Sequence, residues 1–297
     1  MVFNYPQIRR DESITETLHN VEVYDAYRYL EDPDSEETKL FVEKQNQLTM
    51  SFINECPYKS KINSRLTEIW NYPKYGCPLI SGKNYFFTKN TGLQNQSVLY
   101  KQTSLDSEPD VFFDPNAINP DGTTALSVYS FSEDGQWFAY GLSDAGSDWV
   151  KIKIRNVETG EDCDEVLEKC KFTDISWTHD NLGFFYSCYP DHCTKGDGTE
   201  TSSCENQKVF YHRINSPQSE DILTVQFKDN PRWIISAHVS DCGKYLFASI
   251  SETCRQNLLF YSKLDTENTP IVGQLELTPI FDKFEADYIY VTNDGDK

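Results

Sequence analysis

The chain has 297 residues, 27 basic against 47 acidic side chains for a formal net charge of −20, and a 38% apolar composition rich in Tyr and Phe. That balance excludes a disordered chain, which has too little apolar surface to offset the entropy of ordering. It also argues against sequence-independent binding to nucleic acid or to an anionic membrane, both of which need Lys and Arg. No apolar run reaches the length of a membrane span, and Met1-Val2-Phe3-Asn4-Tyr5-Pro6 lacks the apolar centre of a signal peptide. Nine cysteines, odd in number and irregularly spaced, fit free thiols in a reducing compartment, so the sequence reads as cytoplasmic. Asn95-Gln96-Ser97 matches a glycosylation acceptor, taken as chance without a secretory signal.

Residues 1–72 form one segment. An extended arm mixing aromatics with charge leads to Asp34, a capping residue with Glu37 three positions on, and then to Leu40, Phe41, Leu48 and Phe52 at roughly helical spacing. Pro57 ends this helix, and a second from about Lys59 places Ile62, Leu66 and Ile69 on one stripe. An arm and two helices are too small to hold a core, so they should pack on something else.

Near Tyr72-Pro73 the period changes to that of strands, and residues 73–297 read as all-β. Ser132-Glu133-Asp134-Gly135 is a tight turn, because Gly accepts positive φ and Asp bonds nearby amides, and it leads into Trp137-Phe138-Ala139-Tyr140. The pattern recurs at Thr178, at Ser240 and, as a fourth copy, at Thr292, in steps of 46, 62 and 52 residues. A looser version stands at Ile80-Ser81-Gly82-Lys83-Asn84. Between the turns come about four short strands per unit, among them Trp149-Val150-Lys151-Ile152, Lys208-Val209-Phe210-Tyr211 and Gly273-Gln274-Leu275-Glu276-Leu277. Repeats of about 40–50 residues with several short strands predict propeller blades, here about three and the start of a fourth. A polar insertion from about Pro190 to Glu205 should be an exposed, mobile loop.

Catalytic and metal-binding patterns are sparse. Gly141-Leu142-Ser143-Asp144-Ala145 approaches the G-x-S-x-G elbow of an α/β-hydrolase, but Ala145 breaks it and no helix follows. Cys188, His192, Cys193 and Cys204 raise the question of zinc, with a spacing that fits no usual pairing of ligands. Free thiols beside a loop are the plainer reading. His19, His179 and His238 stand alone, no Walker or G-x-G-x-x-G loop is present, and no calcium loop appears, so neither cofactor nor metal is implied. On these residues alone the chain is a scaffold without an active site.

The run from Asp25-Ala26-Tyr27-Arg28-Tyr29-Leu30-Glu31-Asp32-Pro33-Asp34-Ser35 through Phe41-Val42-Glu43-Lys44-Gln45-Asn46 and Tyr72-Pro73-Lys74-Tyr75 resembles the N-terminal signature of the prolyl oligopeptidase family. The resemblance continues through Asn90-Thr91-Gly92-Leu93-Gln94-Asn95-Gln96, residues 131–141, Gly146-Ser147-Asp148-Trp149-Val150 and Asp197-Gly198-Thr199-Glu200-Thr201. It is closer to the proline-specific enzymes than to the oligopeptidase B branch. It implies a serine endopeptidase that cuts short peptides after proline, with a Ser-Asp-His triad on an α/β-hydrolase domain covered by a seven-bladed propeller. The expected fold is therefore mainly β: an incomplete propeller at 73–297, preceded by an arm and helices at 1–72 that belong to a split hydrolase domain. The triad would lie beyond residue 297, making the chain an inactive N-terminal part whose missing partner is the C-terminal hydrolase domain.

The resemblance also places Phe172, Ile234 and Cys254 on the apolar wall of the substrate cavity. Ile234 stands where relatives often have Met, a volume-tolerant change, and Ser251 where they often have Arg. Cys254 could in addition confer sensitivity to thiol reagents. The loop at 197–203 corresponds to a mobile loop that would gate substrate entry. Read without the resemblance, Phe172 and Ile234 fit equally as blade core. A non-catalytic, partner-binding propeller is the competing function, although it would have no use for residues 1–72.

Overall fold

Ser35 starts the first helix: its backbone is extended at φ −66° and ψ 141°, and its hydroxyl accepts the Thr38 amide at 3.2 Å. The cap thus falls one residue after Asp34, whose own amide is taken by Asp32 Oδ1 at 3.0 Å. The computed structural model describes residues 4–192, 195–201, 203–266 and 268–295. It divides into two units, one made of the chain through Tyr72 together with 199–201, the other of the remainder.

In the first unit a short hairpin, β1 (Thr15–Leu18) and β2 (Val21–Tyr24), precedes α1 (Glu36–Asn54) and α2 (Lys59–Trp70). The hairpin turn uses His19 and Asn20 at φ 52° and 66°. Arg28 holds Asp25 at 2.6 Å and Glu16 at 2.7 Å, and these contacts keep both carboxyls below their ordinary range. The apolar stripe of α2 is exposed, with Leu66 61% accessible and Ile62, Ile69 and Trp70 to a similar degree. Leu40, Val42, Met50 and Phe52 of α1 are exposed as well.

The second unit is a series of antiparallel sheets. The first contains β3 (Lys74–Tyr75), β4 (Leu79–Ser81), β5 (Asn84–Asn90), β6 (Val98–Gln102) and β7 (Asp110–Phe113). The second runs in order β8 (Ala125–Phe131), β9 (Trp137–Ser143), β10 (Trp149–Asn156) and β11 (Asp162–Lys171). The third has β12 (Ile175–Trp177), β13 (Gly183–Cys188), β14 (Lys208–Arg213) and β15 (Ile222–Val225). The fourth has β16 (Ile234–Val239), β17 (Tyr245–Ser251), β18 (Asn257–Lys263) and β19 (Thr278–Phe281).

Four sheets therefore stand where the turn markers predict about three units and the start of a fourth. The difference lies in the loose turn at Gly82, which reaches φ 54° without an Asp-Gly pair and opens a full sheet of its own. The copy at 292–295 follows the fourth sheet. Gly273-Gln274-Leu275-Glu276-Leu277, expected as a strand, is instead a connection: Leu275 donates its amide to Thr224 of β15 at 2.9 Å and packs with Leu277 against the core. The outer strand comes just afterwards, at β19.

The second and third sheets bury both faces, because side chains alternate along a strand and each of these sheets has a neighbour on either side. Phe138 and Tyr140 of β9 join Phe86 and Leu99 of the first sheet in one cluster. Ala139, between them in sequence, faces Trp177, Phe184 and Tyr186 of the third sheet. Phe185 turns the other way again and packs with Leu246, Ala248 and Ile250 of the fourth. The run Phe184-Phe185-Tyr186 is fully buried for this reason.

The recurring turns stack on one another at one end of the sheets. Gly82 lies against Gly135, Asp134 donates its amide to Asn181 Oδ1 at 3.0 Å, and Gly243 lies against the His179 ring. Within the turn, Asp134 Oδ1 accepts from the Ser132 hydroxyl at 2.6 Å and the Gln136 amide at 3.0 Å. Thr178 and Asp180 repeat the first of these at 2.6 Å. At the outer edge, Asp221 accepts from Tyr186 at 2.7 Å and lies 2.7 Å from His212 Nδ1, while Gln218 bonds both the amide and the carbonyl of Glu168 in β11.

A Cβ at Gly135 would fall 2.6 Å from the Gly82 nitrogen, at a φ of 70°. Gly135→Ala is therefore expected to cost about 1–3 kcal/mol, read as a lower urea midpoint with an unchanged slope.

Candidate functional site

Strand direction decides which residues can meet. In each of the last three sheets the first strand runs toward the stacked turns and the second runs back. The ends of β9 and β11, of β13 and of β17 therefore lie at the opposite end, as do the starts of β12, β14 and β16. Phe172 follows β11, Ile234 begins β16 and pairs with Ser251, and Cys254 lies in the turn between β17 and β18. The sequence 189–207, which joins β13 to β14, emerges at this same end.

Phe172 is not part of the blade core. Its backbone is left-handed at φ 51° and its side chain is 48% exposed. Lys171 lies with its ammonium 5.3 Å from the Phe172 ring centre and 5.2 Å from that of Trp149, so its charge bridges two aromatic faces. Trp149 in turn supports the connecting segment, with His192 at 4.5 Å between ring centres and Gly196 against the indole. Lys169 donates to the Pro190 carbonyl at 2.7 Å, and Lys208 pairs with Asp191 at 2.7 Å. No strand or helix occupies the described residues between 190 and 205; Ser202 of the loop expected at 197–203 lies outside them.

Ile234 is half-buried at the head of β16, and the main chain beside it is fixed by the third sheet. The Ile235 amide donates to Gln207 Oε1 and its carbonyl accepts from the Ser187 hydroxyl, both at 2.6 Å. Gln207 Nε2 donates to the Lys171 and Phe172 carbonyls at 2.8 and 3.1 Å. Gln207 carries no sequence signal of its own: it is a single polar residue before a strand, and only the sheet packing shows what it joins. Ser251, in register with Ile234, completes this end of the β16–β17 hairpin.

The cysteines separate by environment. Cys254 is an exposed free thiol, as are Cys56 and Cys77. Cys188 is buried in β13, where burial pushes its thiol up to about 12, and burial raises Cys170 well above its ordinary value too. Cys242 is lowered instead, chiefly by its hydrogen bond with Ser240. Of the four residues that raise the question of zinc, Cys193 lies outside the described residues and Cys188 sits in the core with Tyr186 and Phe184. Among the described residues no group of three or more His, Cys, Asp or Glu is placed to hold a metal. Ser143 is buried at the end of β9, paired with Ala125 and Val150, far from the exposed position a nucleophile needs.

The arrangement has an apolar, partly exposed residue at the end of the second sheet and another at the start of the fourth. An exposed thiol and the two strand ends that the segment between β13 and β14 joins lie at the same end. It can receive apolar groups of an extended ligand.

The family model for the prolyl oligopeptidase N-terminal beta-propeller domain matches residues 6–297. A prolyl endopeptidase of Elizabethkingia meningoseptica is 35% identical over 295 residues, which is 99% of this chain and 40% of that protein. Prolyl oligopeptidase A of Amanita bisporigera is 33% identical over 320 residues, 98% of this chain and 42% of that one. A solved prolyl oligopeptidase B from Galerina marginata, bound to a 35mer hydrolysis and macrocyclization substrate, superimposes with a TM-score of 0.85 at 30% identity. That match covers 98% of this chain and 43% of the solved one. The chain thus spans about 40% of the length of the curated relatives it matches.

Thiol labelling checks the packing of this end of the sheets. In the native chain at pH 8 a maleimide should modify Cys254, Cys56 and Cys77 and leave Cys170 and Cys188 untouched, with mass spectrometry locating the adducts. Modification of Cys188 before unfolding would contradict its burial in β13.

Proposed function

The chain belongs to the prolyl oligopeptidase family, and from that membership we propose that it supplies the substrate-admitting propeller of a serine endopeptidase that cleaves short peptides on the carboxyl side of proline. The family match across residues 6–297 carries this reading. In it the nucleophile, base and oxyanion hole belong to an α/β-hydrolase domain outside these 297 residues, and they perform acyl transfer in the manner of a Ser-His-Asp triad. In this reading the propeller does the sorting, admitting an extended peptide and excluding a folded protein.

Phe172, Ile234 and Cys254 are the proposed peptide-facing residues. Supporting this, topology sets all three at one end of the sheets, Phe172 is exposed, and the Phe172 and Ile235 main chains are joined through one side chain. The loop at 197–203 would gate substrate entry. The exposed stripes of α1 and α2 support a hydrolase domain as the partner of residues 1–72, because an apolar helix face this exposed needs a cover. The net charge of −20 favours peptides over nucleic acid or an anionic membrane as partners. Eight free cysteines among the described residues support a reducing, cytoplasmic setting.

A fluorogenic peptide with proline before the reporter group tests the proposal. The 297-residue chain alone, which has no G-x-S-x-G elbow, should release no fluorophore. The same polypeptide extended through a hydrolase domain should cleave it, and Phe172→Ala in that protein should raise KM more than it lowers kcat. Turnover by the 297-residue chain would overturn the division of labour. An extended protein that never cleaves after proline would overturn the activity.

A further inference from the structure

We propose that Gln207 is a positioning residue: its side-chain amide ties the end of β11 to the start of β16 and so sets the spacing between Phe172 and Ile234. The proposal rests on the reading that those two side chains face the peptide.

Three hydrogen bonds fix the amide. Nε2 donates to the Lys171 and Phe172 carbonyls at 2.8 and 3.1 Å, and Oε1 accepts from the Ile235 amide at 2.6 Å. The orientation follows from the partners, since carbonyls only accept and an amide N–H only donates. Gln207 is 3% exposed, so water does not compete for these bonds.

The bonds to Phe172 and Ile235 fall on backbone that no strand satisfies. Phe172 has left β11 in a left-handed conformation, which leaves its carbonyl without a ladder partner. Ile235 lies in β16, the edge strand of the fourth sheet, and its amide and carbonyl are both taken by side chains of the third sheet rather than by β17. The Ser187 hydroxyl takes the carbonyl at 2.6 Å and Gln207 takes the amide.

Three sheets meet at this one residue. Phe172 closes the second, Gln207 enters β14 of the third, and Ile235 opens the fourth. Gln207 also ends the segment that joins β13 to β14, and the preceding Asn206 donates its amide to the Pro231 carbonyl at 2.6 Å. The foot of that segment is thereby anchored to the chain leading into β16. Loss of the amide would let Phe172 and Ile234 drift apart with no change in either side chain, weakening an apolar contact to the peptide that depends on both.

The experiment uses the full-length enzyme and combines Gln207→Met, which keeps length and shape but forms none of the three bonds, with Phe172→Ala and the double variant. The substrates are proline peptides that differ only in the size of an apolar N-terminal blocking group. Gln207→Met should raise KM for the bulky-group peptide roughly tenfold, with kcat and the small-group peptide little changed. It should have no further effect when Phe172 is already Ala. In parallel, hydrogen exchange on the same variants should show the Ile235 amide exchanging at least roughly tenfold faster in Gln207→Met.

An unaltered Ile235 amide, or a Gln207→Met effect on KM that persists in full beside Phe172→Ala, overturns the positioning role. Should Phe172→Ala itself leave KM unchanged for every peptide, the peptide-facing reading fails instead. Unchanged circular dichroism shows that each variant is folded, and Gln207→Glu separates the two sides of the clamp. It retains the acceptor for Ile235 and loses the donor to Phe172, so it should protect the Ile235 amide and still raise KM.

Discussion

The second unit depends on one constraint: an apolar sheet face must find a neighbouring sheet to cover it. The three core clusters each draw from two consecutive sheets, the first with the second, the second with the third and the third with the fourth. Full burial of a Phe is worth on the order of 2–3 kcal/mol, so the clusters fix the spacing of the sheets more firmly than any hydrogen bond between them. The stacked glycine turns follow from that spacing. With the sheets so close, the backbones at Gly82 and Gly135 approach within a distance that no Cβ would allow.

The same constraint explains the polar chemistry between sheets. The first strands, β8, β12 and β16, are edge strands, and their outward backbone groups would go unsatisfied against an apolar neighbour. Side chains on neighbouring sheets supply the partners. Trp177 Nε1 donates to the Ser130 carbonyl at 3.2 Å, Ser176 accepts the Val239 amide at 2.8 Å, and Ser187 and Gln207 complete Ile235. These bonds are what give the candidate site its geometry. Phe172 and Ile234 are 62 positions apart in sequence and sit on different sheets, yet the main chains at Phe172 and Ile235 are one side chain apart.

The first unit obeys the opposite rule. Its helices have periodicity and length in order, and α1 has its cap in Ser35, but their apolar faces are exposed and only Ala26 and Thr38 among its described residues are buried. Local chemistry is enough to specify α1 and α2 as helices. Their stability needs surface that residues 1–72 do not themselves supply.

Much of this was legible in the sequence. The 3.6-residue stripe of Ile62, Leu66 and Ile69, the repeated turn with its aromatic strand, and the motif-by-motif family resemblance gave helices, blades and the prolyl oligopeptidase family, because each is a local pattern with a local cause. The loose turn at Gly82 reads correctly as a turn and strand, and only the packed sheets show that it opens a full unit; the stretch around Leu275 reads as a strand but is drawn out of strand pairing by the core it crosses. The exposure of Phe172, the burial of Cys188 and the clamp at Gln207 were decided by tertiary structure alone. They depend on which strand ends share one end of the sheets and on which backbone groups a neighbouring sheet leaves unpaired, and neither quantity exists until the sheets have packed.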